Sequence, residues 1–86
     1  MTNRKTLEGL LLEVELYAKS ETGRADFALI FIEAIESLED IPFSITDEAH
    51  DWQYKIETEG DTLHRPSDSQ IRALKVWIKS VITAYT

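Results

Sequence analysis

Cysteine is absent from the 86 residues. Disulfides and thiolate-held metal centres are therefore excluded. Glycine occurs 3 times and proline twice, which leaves few places where the backbone must turn and favours a few long elements. No long apolar run is present either. Leu10, Leu11 and Leu12 are hemmed in by Glu8, Glu13 and Glu15, so the segment reads as neither a signal peptide nor a membrane span. A cytoplasmic protein is expected.

Positive charge is missing from the middle of the chain. Residues 26–61 hold 11 acids and a single base, Lys55, for a net charge of −10. Residues 1–25 balance 4 acids with 4 bases, and residues 62–86 set Asp68 against Arg65, Arg72, Lys75 and Lys79. Such asymmetry governs steering and partner choice rather than fold. Phosphates are repelled by the central block, so direct nucleic-acid binding there is disfavoured, and a basic protein is the natural complement.

The motifs of catalysis are lacking too. There is no Gly-x-Ser-x-Gly elbow, Gly-rich phosphate loop or dinucleotide fingerprint, and without Cys the nucleophile–base–orienter set has few members to draw on. With 16 acids in the chain, a pair such as Glu33/Glu36 arises by chance and does not point to glycoside chemistry. Asp47, His50 and Asp51 fall at i, i+3 and i+4, a spacing that suits a divalent ion, but the second Glu-x-x-His of a di-iron bundle is missing. No enzyme, metal or cofactor is expected.

What is present is helical periodicity within a chain that is 43% apolar. Leu7, Leu10, Leu11, Val14 and Tyr17 predict a helix over 6–20, with Thr6 as N-cap and Gly9 as a possible point of close backbone approach. Phe27, Phe31, Ala34, Ile35 and Leu38 predict a second over 24–39. It is the most apolar element and belongs centrally in a bundle. Pro42 stops it, and Phe43 beside it reads as a staple packed on the core. Ile45, Ala49, Trp52 and Ile56 predict a third over 46–59, capped by Ser44 or Thr46, with an Asp51–Lys55 pair and Gly60 as C-cap. Residues 60–67 read as the longest loop, with Leu63 packing back. Ser67 and Gln70 form a capping box for a fourth helix over 68–83, striped by Ile71, Leu74, Ile78, Val81 and Tyr85, with Trp77 beside the stripe. One all-α domain over 1–86 is expected, a small four-helix bundle with short connections.

The acids Glu33, Glu36, Glu39, Asp40, Asp47, Glu48 and Asp51 stand on the second and third helices and their link. Tyr54 lies off the apolar stripe of the third helix and among acids, a position that suits a binding anchor. Arg72, Lys75 and Lys79 share a face of the last helix. They are either an opening for nucleic acid or an internal counter-charge for the central block.

The Leu-rich first helix (Leu7, Leu10, Leu11), the Ala25-Asp26-Phe27 start of the second with Phe31, and the Gln70-Ile71-Arg72 opening of the last helix, together with size and charge, carry a resemblance. The chain resembles the small acidic helical immunity proteins that neutralise bacteriocin ribonucleases, of the colicin D immunity type. Arg65 departs from that family's acidic pattern ahead of the last helix. The resemblance implies a protein that fills a toxin's basic catalytic or tRNA-binding cleft with its carboxylates. The sequence thus reads as a non-enzymatic acidic binding protein, an inhibitor of a basic nuclease toxin or host nucleic-acid enzyme. The alternatives are a DNA-associated regulator and a structural adaptor or subunit, with a homodimer in view.

Overall fold

The structure, a computed structural model, describes residues 3–58 and 67–86. It is an all-α four-helix bundle: α1 is Asn3–Ala18, α2 Arg24–Glu36, α3 Phe43–Thr58 and α4 Asp68–Tyr85. Helix α1 packs on α2 and α4, and α2 packs on α3. The most apolar helix thus packs chiefly on two others and also touches α4 through Phe31 and Trp77, in keeping with its composition.

Each helix buries the stripe its periodicity marks: Leu7, Leu10, Val14 and Tyr17 from α1, Phe27, Phe31 and Ile35 from α2, Ile45, Ala49 and Ile56 from α3, and Ile71, Leu74, Ile78 and Val81 from α4. An aromatic run crosses the centre. Tyr17 stacks on Phe27 with ring centroids 4.3 Å apart, Phe27 meets Phe31 at 6.2 Å, and Phe31 meets Trp77 at 5.7 Å. Three helices are thereby joined through contacts worth roughly 0.5–1.5 kcal/mol each beyond area burial. Trp52 and Trp77 both pack against the core while remaining partly exposed.

The helix ends differ from the sequence expectation, and the reasons are local. Helix α1 begins at Asn3, so Thr6 lies inside its first turns rather than capping it. It ends at Ala18, where the Ser20 N–H donates to the Tyr17 carbonyl (3.0 Å) and the Glu21 N–H to the Leu16 carbonyl (2.9 Å). Ser20 sits in the left-handed region with φ 63. This is a Schellman end made without glycine. Helix α2 stops at Glu36, not 39: the Ser37 N–H still makes the regular bond to the Glu33 carbonyl, but that of Leu38 turns back to Ile35, an i→i−3 bond that leaves the α ladder. Helix α3 starts directly after Pro42, whose carbonyl accepts from the Ile45 N–H (3.0 Å). Ser44 and Thr46 therefore lie within α3 and do not cap it. Ser67 does cap α4, its hydroxyl accepting from the Gln70 N–H at 3.1 Å, and α4 runs two residues beyond 83. The proposed Gly60 cap, Leu63 contact and loop with Arg65 lie outside the described residues. Gly9 has open space around it among the described residues, so it does not mark a close approach of α2, α3 or α4.

The link between α2 and α3 is anchored from a distance. The Asn3 side-chain amide donates to the Glu39 carbonyl (2.7 Å) and its oxygen accepts from the Glu39 N–H (2.9 Å). The start of α1 thus holds the acidic connection. Glu39 and Asp40 are not an adverse charge at a helix C-terminus, because they stand beyond the helix. Asp40 adopts φ 55, a conformation that Asp tolerates better than most side chains.

A candidate binding surface on the second and third helices

Helix α2 turns Phe27, Ala28, Phe31, Ile32 and Ile35 inward, which leaves Asp26, Leu29, Glu33 and Glu36 in solvent. The same logic sorts α3. Its buried residues are Ile45, Ala49 and Ile56, and at 3.6 residues per turn the opposite side carries Phe43, Asp47, His50 and Tyr54. Asp51 and Glu48 flank that side. The structure places all eight sequence-proposed binding residues (Glu33, Glu36, Glu39, Asp40, Asp47, Glu48, Asp51 and Tyr54) in solvent. They belong to two neighbouring helices and the clamped link between them.

The ion pairs lie elsewhere. Arg4 pairs with Glu8 along α1 (3.7 Å), and Lys75 of α4 pairs with Glu15 of α1. That contact, reinforced by the charge of Lys75, holds the Glu15 carboxyl below its ordinary value. Among the described residues, no ion pair reaches the seven acids of the candidate surface. Of the three bases expected together on α4, Lys75 is half-buried against α1, while Arg72 and Lys79 remain exposed.

The expected Asp51–Lys55 pair is not among the ion pairs of the described residues. Lys55 instead lies over the Trp52 ring, 5.0 Å from its centroid. A shallow cleft of about 170 Å³ is lined by Glu48, Asp51, Trp52 and Lys55. A half-buried indole held under a cation competes with an exposed carboxylate for the same lysine, and here the ring has it. Among the described residues no group of three or more His, Asp or Glu side chains is arranged around a metal position.

Two features escaped the sequence reading. Phe43, expected to pack as a staple, is 80% exposed. Extending the 3.6 period of α3 back to Pro42 would have shown it, because Phe43 then falls opposite Ile45 and Ala49. The second is Arg24, at the start of α2. Burial pushes the pKa of the Tyr17 hydroxyl up, and the nearby guanidinium of Arg24 draws it only partly back. The Nε and Nη2 of Arg24 are buried without a partner among the described residues, beside an open cleft of about 430 Å³ lined by Gly23, Arg24, Ala25 and Glu57. No spacing rule marks such a residue.

Among the described residues no helix is long and apolar enough to cross a membrane. Comparison with protein-family models, curated proteins and solved structures finds no match to this chain.

Proposed function

We propose that this chain is a non-enzymatic acidic binding protein of the cytoplasm that inhibits a basic nuclease or another nucleic-acid-processing protein. In this reading it works as an immunity-type protein does, by filling a cationic cleft. The observation that carries the reading is the disposition of charge. The basic last helix spends Lys75 on Glu15, in the neutral part of the chain, while the acids of α2, α3 and their link stay exposed without an ion pair among the described residues. Like charges one turn apart on a helix cost a few tenths of a kcal/mol each, and a cationic partner offsets that cost. Steering by the net −10 segment raises the encounter rate, and docking then blocks the cleft sterically.

The test is capture from the native host by immobilised protein, compared with the variant Glu36→Lys/Asp47→Lys/Asp51→Lys. Asp40 is left in place because its left-handed backbone disfavours Lys. The expected result is a basic protein retained by the wild type, released by salt, not retained by the variant, and deprived of nuclease or other nucleic-acid-directed activity by one equivalent of wild type. Equal retention by both proteins, or a retained protein whose activity is unaffected, would sink the reading.

A further inference from the structure

The third helix carries more than charge. Phe43 is 80% and Tyr54 68% exposed, and the two rings stand 11 residues apart on the side of α3 that faces away from the core. Eleven residues of helix span about 16 Å. Each ring has a carboxylate one turn away: Asp47 follows Phe43 at i+4, and Asp51 precedes Tyr54 at i−3. Side chains at these spacings are neighbours on a helix surface. All four are exposed. Neither carboxylate is in an ion pair among the described residues.

We infer that the outer face of α3 is a two-point receptor for arginine side chains of a basic protein, one at Phe43/Asp47 and one at Asp51/Tyr54. The inference rests on the acidic-surface reading above and adds to it the chemical class of the contacting groups. A guanidinium is planar, stacks on an aromatic face and offers parallel N–H donors to a carboxylate, whereas an ammonium is a compact, strongly hydrated point charge. A ring beside a carboxylate therefore favours Arg over Lys. The same helix already holds a cation on a ring, with Lys55 over Trp52. Charge complementarity argues against the other occupants. A second copy meeting this face with its own would set one net −10 segment against another, the exposed bases of α4 offer one arginine rather than two, and a phosphate backbone would meet the same repulsion.

The probes are nona-arginine and nona-lysine peptides, titrated calorimetrically at low ionic strength. They are compared across the wild type, Phe43→Ala/Tyr54→Ala, Asp47→Asn/Asp51→Asn and Glu33→Gln/Glu36→Gln. Both aromatic positions are exposed, so the first double variant keeps the fold, which the helical circular dichroism signal and melting temperature verify. The wild type is expected to bind nona-arginine more tightly than nona-lysine. Removing the two rings should weaken nona-arginine roughly tenfold, the factor that two exposed cation–π contacts supply, and erase the preference. Removing Asp47 and Asp51 should weaken both peptides. If the carboxylate variants lose affinity while the ring variant binds nona-arginine within about twofold of wild type, the two-point receptor falls and the acidic surface stands. If neither peptide binds the wild type, or none of the carboxylate variants alters binding, the acidic-surface reading falls as well.

Discussion

Gln70 is the side chain whose removal tests the packing most directly. It is buried, 7% exposed, on the first turn of α4. Its Oε1 accepts from the Tyr17 hydroxyl at 3.2 Å, and its Nε2 donates to the Lys55 carbonyl at 3.2 Å. Lys55 lies in the last turn of α3, and its carbonyl takes this amide as a donor. One amide therefore braces α4 against both α1 and α3. In Gln70→Leu the volume is nearly kept, but the Tyr17 O–H, on a residue only 1% exposed, loses its acceptor. An unmet buried donor costs roughly 1–3 kcal/mol. The 3.2 Å separation is longer than the usual O–H···O distance, which selects the lower half, about 1–2 kcal/mol. The Lys55 carbonyl, at an exposed helix end, recovers most of its loss from water. For a domain of this size that corresponds to a melting temperature lower by roughly 4–15 °C. Urea unfolding of wild type, Gln70→Leu, Tyr17→Phe and the double variant gives the coupling. Replacing both partners by apolar groups is close to neutral for the pair, so the double variant should be more stable than the sum of the singles by about 1 kcal/mol. A coupling below about 0.3 kcal/mol, the level of independent sites, would refute the brace.

Two further outcomes follow from the electrostatics. Burial raises the folded pKa of Tyr17, while an unfolded tyrosine ionises near about 10. The folded state thus favours the protonated phenol. Its contribution is fully present below about pH 10 and is lost as pH climbs from there through the higher folded value. Thermal melts between pH 8 and pH 12 should fall more steeply for wild type than for Tyr17→Phe, and parallel curves would contradict the assignment. Asp47 and Asp51 are like charges at i,i+4 on an exposed face, so Asp47→Asn should raise stability by a few tenths of a kcal/mol. The gain should shrink in about 1 M salt, where the screening length is about 3 Å. A loss of stability on removing Asp47 would mean that its carboxylate has a compensating partner.

Some of this was legible before any coordinates. The 3.6 periodicity of Leu7, Leu10, Val14 and Tyr17, or of Ile71, Leu74, Ile78 and Val81, is a property of local backbone geometry. It named the four helices and nearly all the buried side chains, and the Ser67 cap was equally local. Helix ends were less legible. Ser20 and Asp40 supply left-handed turns that glycine would have announced, and the Pro42 carbonyl starts α3 at 43, three residues ahead of the expected 46. Phe43 was misread for that reason: with α3 begun at 46 it sits in a link and looks available for packing, and with α3 begun at 43 it points to solvent.

The sequence by itself determined the helical class, the inward stripes and the net −10 segment, because each depends only on residues close together along the chain. Tertiary structure decided what the charges do. Whether Lys75 neutralises the central acids or Glu15 depends on which helix lies beside α4, and that neighbour is set by how all four apolar stripes fill one core. The long-range contacts are of the same kind. Asn3 on the Glu39 backbone and Gln70 between Tyr17 and Lys55 join residues far apart in sequence, with no periodicity to announce them. The acids of α2 and α3 were written in the sequence, and the packing decided that no ion pair among the described residues reaches them.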